Sequence, residues 1–257
     1  AGVLTGKGIL YGGSQARTEA TGYGAVYFVN EMLQANNLSL KGSRVIVSGS
    51  GNVAIYAMQK AEQLGAKVIA CSDSAGYIQD ENGIHIDTVR RLKEVGRERI
   101  SEYVKQHPTA VYFPDSTQIW TIPCEIALPC ATQNEINEDM ARTLITNGVK
   151  AVGEGANMPS TIEAIHLFQE AGVLFAPAKA TNAGGVAVSA LEMAQNSMRL
   201  SWSFEEVDAK LHEIMGNIYH QAMDAAQQYG QPGNLLAGAN IAGFRIVAEA
   251  MLAEGVI

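Results

Sequence analysis

The chain has 257 residues, of which 47% are apolar and 17% charged, and its formal net charge at pH 7 is −8. This composition excludes a disordered chain, and the acidic balance argues against a nucleic-acid partner, which needs a basic surface. The cysteines Cys71, Cys124 and Cys130 form no C-x-x-C pair. We therefore expect buried thiols in a reducing compartment, without a disulfide scaffold or a metal site.

The sequence contains no window of 18 consecutive apolar residues and no basic start followed by an apolar run. It therefore predicts a soluble, cytoplasmic protein with no membrane partner. Residues 1–17 are rich in glycine and predict an irregular lead. Because the chain lacks an initiator Met and these glycines resemble a connector, we expect it to be part of a longer protein. A helical apolar pattern then runs from Thr18 to Gln34.

The next stretch predicts a strand, a glycine turn and a helix. Residues 45–47 are apolar, and Gly49-x-Gly51-x-x-Ala54 follows, which fits the dinucleotide fingerprint. Gly49 permits the turn, Gly51 lets a pyrophosphate approach the backbone, and Ala54 lets the helix pack close to the sheet. The free N–H groups at the helix start attract phosphate. The alternative is a βαβ unit with a structural glycine turn.

The helix and second strand of the same βαβ unit follow directly. Residues 53–63 are amphipathic, and the apolar run 67–71 leads to Asp73, the acidic residue expected after the second strand. Downstream, the pattern predicts a helix from Asp87 to Gln106 with Asp87 as N-cap, and a further helix capped by Ser160. The other predicted elements are strands at 111–113, 126–128, 149–152 and 173–175 and a helix from Asn137 to Asn147.

The alternation of short apolar strands with helices predicts an α/β fold with a doubly wound, Rossmann-type, mostly parallel sheet and additional C-terminal helices. Polar turns follow successive strands, and such turns meet at one edge of a parallel sheet, where ligands bind. The turns are 48–52, 72–76, 130–134, 155–157 and 181–185. We expect them to line one crevice, although each alone could be a solvated turn.

Two long helices are predicted after Phe204. Val207 to Gln228 is amphipathic, whereas Asn234 to Ala253 is apolar nearly all round, so it should be buried on more than one side. It could complete the core here or pack on a further domain. We divide the chain into a Rossmann dinucleotide-binding domain at 1–200 and C-terminal helices at 201–257, which pack on it and on an N-terminal substrate domain outside this sequence.

Several motifs together resemble the hexameric bacterial glutamate dehydrogenases of the Glu/Leu/Phe/Val dehydrogenase superfamily, over the whole chain and in family order. They are Arg17-Thr-Glu-Ala-Thr21-Gly-Tyr-Gly24, Gly49-Ser-Gly-Asn-Val-Ala54, Pro129-Cys-Ala-Thr-Gln-Asn134, Glu154-Gly-Ala-Asn-Met-Pro159, Asn182-Ala-Gly-Gly-Val186 and Gly238-Ala-Asn-Ile-Ala-Gly-Phe244. The resemblance implies reversible oxidative deamination of L-glutamate to 2-oxoglutarate and ammonium, with hydride transfer to nicotinamide. It also implies a homohexamer, and no catalytic residue within this chain.

The resemblance assigns particular residues. Thr21 and Asn52 would bond the nicotinamide carboxamide, which is orientation rather than proton transfer. Val186 and Ser189 would reach the substrate, with the Ser189 hydroxyl on the distal carboxylate of glutamate. The complete set implied for the coenzyme is Thr21, Gly49, Ser50, Gly51, Asn52, Val53, Asp73, Ser74, Arg97, Ala131, Thr132, Asn157 and Asn182.

The choice between NAD and NADP rests on the residues after the second strand. Asp73 can accept from both ribose hydroxyls of NAD and repel a 2′-phosphate. The Asp73-Ser74 pair also resembles NADP-using members, in which the following helix supplies positive charge, and Arg97 and Arg99 could replace the expected lysine. NADP is favoured and NAD stays open. The alternative functions are a branched-chain or aromatic amino-acid dehydrogenase and a non-catalytic nucleotide-binding module.

Overall fold

The computed structural model describes residues 2–255. Within them the strands are β1 (Arg44–Val47), β2 (Lys67–Asp73), β3 (Gly76–Gln79), β4 (Val111–Phe113), β5 (Ile126–Leu128), β6 (Ala151–Gly153) and β7 (Leu174–Ala176). The α-helices are α1 (Ala20–Ala35), α2 (Asn52–Gln63), α3 (Ile86–Arg90), α4 (Glu138–Thr146), α5 (Ile162–Glu170), α6 (Ala178–Thr181), α7 (Gly184–Met198), α8 (Phe204–Gln228) and α9 (Leu235–Glu254).

All seven strands form one sheet in the order β4-β3-β2-β1-β5-β6-β7. The five strands from β2 to β7 in this order are parallel, and β3 and β4 extend the sheet by antiparallel pairing. The predicted doubly wound, mostly parallel sheet is therefore confirmed. The strands that follow β1 in the chain extend the sheet on one side, from β2 to β4, and the chain then crosses to the other side of β1, where β5 begins the second half. Ligands bind such sheets beyond the carboxyl ends of the strands at this point.

The central strand β1 is apolar because both of its faces are covered. Val45 and Val47 lie in the core between the sheet and helices α1, α2 and α8, whereas Ile46 lies in the core under α4 and α5. All three are at most 1% exposed. Successive side chains of a strand point to opposite faces, so a continuous apolar run is what a strand inside a three-layer α/β/α stack requires.

Helices α1 and α7 approach each other through glycines. A Cβ added to Gly184 would lie 2.1 Å from the Ala20 carbonyl oxygen, and one added to Gly24 would lie 2.9 Å from the Gly184 Cα. No larger residue fits without moving a backbone, so the small side chains fix the distance between the two helices. The start of α1, at the carboxyl edge of the sheet, is thereby held against the start of α7.

The predicted helix from Asp87 to Gln106 is wrong as a continuous element. It begins at α3 with His85 as N-cap, widens into a π-helical turn at Arg91–Gly96, breaks at Arg97 and resumes as a 3₁₀ helix at Ile100–Lys105. Arg97 has a φ of +51°, which interrupts helical geometry. Strand β3 was not predicted.

The helix cap predicted at Ser160 is also wrong by one position. Ser160 bridges to Ile136 in extended conformation, and the hydroxyl of Thr161 accepts the N–H of Ala164 as the N-cap of α5. Strands β6 and β7 each begin one or two residues later than expected. All three cysteines are buried and free, as predicted.

The C-terminal helices differ in burial. Met215 and Tyr219 of α8 enter the core, whereas α9 buries only Leu235 and Gly238, and Phe244 and Leu252 are 70% and 85% exposed. Helix α9 therefore does not complete the core within residues 2–255. By length and composition alone it could cross a membrane, which the sequence expectation did not foresee. Only 11% of its apolar window is buried, and Arg245 and Glu249 form an ion pair within it.

Candidate functional site

The site is organised around the turn between β1 and α2. Gly49 has a φ of +87°, and its N–H donates to Ser72 Oγ at 2.8 Å, so the turn is tied to the end of β2. Gly51 is the N-cap of α2 and supplies no capping side chain. A Cβ on Gly51 would meet no atom within 4 Å. The space beside the start of α2 is therefore open, and a helix start of this kind suits an anion.

Two cavities flank this turn at the carboxyl edge of the sheet. The Arg17 cavity, of about 770 Å³, lies between the loops after β5 and β6 and the starts of α1 and α7. The Asp73 cavity, of about 530 Å³, lies over the turn and the end of β2. The residues from Cys130 to Gln133, directly after β5, line both cavities. The two spaces therefore adjoin across one loop, as the halves of an extended ligand require.

The structure brings most of the predicted site residues to these cavities. Those that line the Arg17 cavity are Thr21, Val53, Ala131, Thr132, Asn157, Asn182, Val186 and Ser189. Those that line the Asp73 cavity are Gly49, Ser50, Gly51, Asp73, Ser74, Ala131 and Thr132. The polar turns expected to line one crevice meet at the same edge of the sheet, but they line two adjoining cavities instead of one.

Two predicted residues are not among the linings. The Asn52 amide donates to the Thr18 carbonyl oxygen at 2.6 Å, which ties the start of α2 to the segment before α1. Arg97 is exposed at the break after the π-helical turn. The neighbouring Arg99 instead points back to the site, where its Nη1 donates to Ser74 Oγ at 2.6 Å.

Asp73 is buried and already engaged by the protein. Its Oδ1 accepts the N–H of Ala75 at 2.8 Å, and its Oδ2 accepts the N–H of Ile100 at 3.1 Å and lies 3.5 Å from Lys93 Nζ. Burial raises the pKa of Asp73, but these donors outweigh burial and hold the pKa below its usual value. Asp73 therefore anchors the broken helix to the end of β2.

The basic side chains beside Asp73 were only partly foreseen. Lys93 Nζ also donates to the Glu98 carbonyl oxygen at 2.9 Å, and Lys93 is half-buried while Arg99 is exposed. The sequence offered several cations between 90 and 99 with nothing to rank them. With the backbone broken at Arg97, Lys93 contacts Asp73 and Arg99 contacts Ser74, two residues of the cavity lining.

The Arg17 cavity is lined mainly by amides and hydroxyls. Asn182 Nδ2 donates to Asn157 Oδ1 at 2.8 Å, and the Ser189 hydroxyl donates to the Gly185 carbonyl oxygen of its own helix at 3.0 Å. Arg17 was not among the predicted site residues, yet it lines this cavity, and its Nε is buried without a hydrogen-bond partner in the structure. A buried donor of this kind needs an acceptor, and the carboxylate of a ligand would supply one.

The shared wall is held by a carboxylate. Glu135 Oε1 accepts the N–H groups of Ala131 and Thr132 at 3.1 and 3.2 Å, and Ser48 Oγ accepts the N–H of Cys130 at 2.9 Å. Burial raises the pKa of Glu135. Among residues 2–255 no group of three or more His, Cys, Asp or Glu side chains is arranged to hold a metal ion.

A glycine turn at a sheet switch point, an open helix start and an acidic residue after the second strand define a Rossmann-type dinucleotide-binding protein. The cavities suit such a ligand, because one adjoins the glycine turn and the other is a polar pocket beyond it. Comparison with known proteins narrows the class. Residues 12–255 match the Glutamate/Leucine/Phenylalanine/Valine dehydrogenase family, and the chain belongs to that family.

Individual relatives agree. The NADP-specific glutamate dehydrogenase of Escherichia coli K12 is 55% identical over 258 residues, which cover 99% of this chain and 57% of that protein. The solved glutamate dehydrogenase of Plasmodium falciparum is 48% identical, with a TM-score of 0.96 over 99% of this chain and 55% of that one. The hetero-hexameric, leucine-bound glutamate dehydrogenase of Thermus thermophilus is 25% identical, with a TM-score of 0.85 over 98% of this chain and 57% of that one. This chain thus spans a little over half the length of these proteins.

Proposed function

We propose that the chain is the coenzyme-binding part of a glutamate dehydrogenase and that it binds NADP(H) in preference to NAD(H). The observation that carries the proposal is the pair of adjoining cavities over the glycine turn, with Lys93 and Arg99 bonded to Asp73 and Ser74 in the wall of the Asp73 cavity. The E. coli relative is named NADP-specific. When bound, the nicotinamide exchanges a hydride with the α-carbon of the amino acid.

The coenzyme's adenosine half belongs in the Asp73 cavity. There, Ser74 and Arg99 form a donor pair at the surface, and Lys93 adds a second positive charge beside them. Together they suit a 2′-phosphate, which NAD lacks. Asp73 keeps its oxygens on Ala75, Ile100 and Lys93, so its main part is to hold this basic segment rather than to bind ribose.

The nicotinamide half belongs in the Arg17 cavity, with Thr21, Asn157 and Asn182 orienting the ring. Arg17 and Ser189 would face the substrate, and an arginine with an unpaired buried nitrogen suits a carboxylate of glutamate. A leucine or phenylalanine side chain would gain nothing from these donors. Preferential oxidation of leucine by the enzyme that contains this chain would contradict glutamate as substrate.

The remaining assignments are proposals about the longer enzyme. Proton transfer belongs to groups outside these 257 residues, so the chain alone should bind coenzyme without turnover. The division at residues 200 and 201, a homohexamer and a cytoplasmic location also stay proposals. The leucine-bound relative described as hetero-hexameric supports a hexamer, and the exposed apolar side of α9 supports packing of that helix on further protein.

Fluorescence titration of the 257-residue chain with NADPH and with NADH tests the proposal. A charge-assisted hydrogen bond contributes about 1.5–3 kcal/mol, so NADPH should bind about tenfold tighter or better. Crystals soaked in NADPH should show its diphosphate at Gly49–Gly51. Absence of binding, or density anywhere else, would contradict the assignment. Tighter binding of NADH would retain the site and overturn the preference.

A further inference from the structure

One buried carboxylate joins the two loops that form the far wall of the Arg17 cavity. Glu154 follows β6 directly and is 3% exposed. Its Oε1 accepts the N–H of Ser160 at 3.1 Å, and its Oε2 accepts the N–H of Ala178 at 2.8 Å. Ser160 ends the loop after β6, and Ala178 begins the short helix α6 after β7. The carboxylate thus bridges two segments that are separate in sequence.

Each bridged segment carries one amide of the cavity. Asn157 lies in the loop closed by Ser160, and Asn182 is the C-cap of α6. Besides the 2.8 Å bond to Asn157, the Asn182 amide lies 3.4 Å from the Ala156 carbonyl oxygen. The positions of both amides therefore depend on the position of the loop after β6 relative to α6. The clamp below them is Glu154, which does not itself line the cavity.

The chemistry of the clamp requires a carboxylate. Both partners are backbone N–H donors, and an ionised carboxylate presents an acceptor to each. A glutamine of the same shape has a single acceptor oxygen and would set an NH₂ group against an N–H. Charge burial is unfavourable unless the charge is well bonded, and burial raises the pKa of Glu154 despite its two N–H partners. An apolar residue could fill this space, but it could not bridge the two segments.

We propose that Glu154 is a positioning residue for the nicotinamide half of the coenzyme, acting through Asn157 and Asn182. The inference rests on the proposed function, because it supposes that the nicotinamide occupies the Arg17 cavity. It separates the two halves of the site. Loss of the clamp should loosen the grip on nicotinamide and leave the adenosine half, which lies across the shared loop, unaffected.

The test compares NADPH with adenosine 2′,5′-bisphosphate, which has the adenosine half and no nicotinamide. We expect Glu154→Gln to weaken NADPH binding by about tenfold, or about 1.4 kcal/mol, with affinity for the bisphosphate unchanged within about twofold. The fluorescence of bound NADPH should also lose the spectral shift that a fixed nicotinamide shows in the wild-type protein. Glu163→Gln is the matched control, since Glu163 lies exposed on α5 and should change neither ligand.

The outcomes separate the two proposals. If wild-type chain binds neither ligand, the proposed function fails and this inference with it. If wild type binds NADPH and Glu154→Gln binds it equally well, or loses both ligands equally, only the positioning role is wrong. Should Glu154→Gln not fold, Glu154→Asp keeps both acceptors but shortens their reach, and it should show the same selective loss. An Asp variant with wild-type affinity for NADPH would overturn the inference.

Discussion

The Asp73 cavity and the Arg17 cavity share one loop but depend on different interactions. At the Asp73 cavity, ionic contacts fasten the irregular segment 91–100 to the end of β2. At the Arg17 cavity, glycine contacts between α1 and α7 and the Glu154 clamp set the wall. The first arrangement selects a ligand by charge, which is sensitive to salt. The second selects by shape, which changes only when packed backbone moves.

The largest effect should follow from disturbing the packed side. Gly184→Ala places a Cβ 2.1 Å from the Ala20 carbonyl oxygen, a backbone atom that no rotamer change can move away. We expect a loss of about 2–3 kcal/mol in the free energy of unfolding, measured by denaturant titration. Gly216→Ala is the control within α8, because its nearest neighbour is the Glu31 side chain at 3.9 Å. That change should be neutral or stabilise by up to about 1 kcal/mol, and equal losses would show that the α1–α7 contact is not limiting.

An intermediate effect should follow from removing charge on the other side. Arg99→Ala should weaken NADPH about tenfold, because one charge-assisted bond to the 2′-phosphate is lost, and should leave NADH nearly unchanged. Arg97→Ala is the matched control two residues away, since Arg97 is exposed at the helix break, whereas Arg99 bonds Ser74 of the Asp73 cavity. If Arg97→Ala produced the loss and Arg99→Ala did not, the sequence-based choice of Arg97 would be right and the structural one wrong.

A smaller effect should follow from Asp73→Asn. The amide keeps an acceptor for Ala75 but presents a donor to Ile100 and Lys93, so the basic segment loses its anchor. Fluorescence titration should show that the affinity for NADPH falls about threefold while the affinity for NADH does not change. This loss is smaller than the loss expected when a side chain that bonds the phosphate is removed. If Asp73 instead bound the ribose of NAD, as the sequence suggested, NADH would be the ligand that weakens.

The same variant should alter the acid limb of stability. Because the pKa of Asp73 is lowered in the folded chain, its ionisation stabilises the fold above its unfolded pKa of about 4. That contribution disappears as the pH falls through the folded pKa. The difference in unfolding free energy between wild type and Asp73→Asn should therefore shrink as the pH falls from about 5 to about 3. A difference that grew on acidification would contradict the lowered pKa.

The sequence predicted the packed framework better than the charged one. The turn at Gly49–Gly51, the parallel strands and the convergence of polar turns follow from apolar periodicity and glycine spacing, which local physics determines. Strand β3 was missed because it has only four residues and begins just after the tight turn that follows Asp73, so its sequence resembles a loop. The break at Arg97 has no proline and depends on tertiary contacts of Asp73 with Ile100, so no local pattern distinguishes Arg97 from Arg99.

The role of Glu154 also could not be predicted from the sequence. Its motif was visible, but a carboxylate beside a glycine in sequence does not reveal that its two oxygens accept N–H groups 6 and 24 residues away. Arg17 likewise belongs to a motif that the sequence shows, but only the folded chain shows that its Nε is unpaired beside a cavity. Long-range polar contacts of this kind follow from topology rather than from spacing.

The π-helical turn and the break after it lie wholly on one side of the shared loop. None of residues 91–100 contributes to the lining of the Arg17 cavity. Under the proposed function, replacement of this short segment would exchange one electron carrier for the other, while the stereochemistry of hydride delivery would stay the same. The metabolic pool of reducing equivalents that such an enzyme uses would then change without any change to the reacting face of the nicotinamide ring.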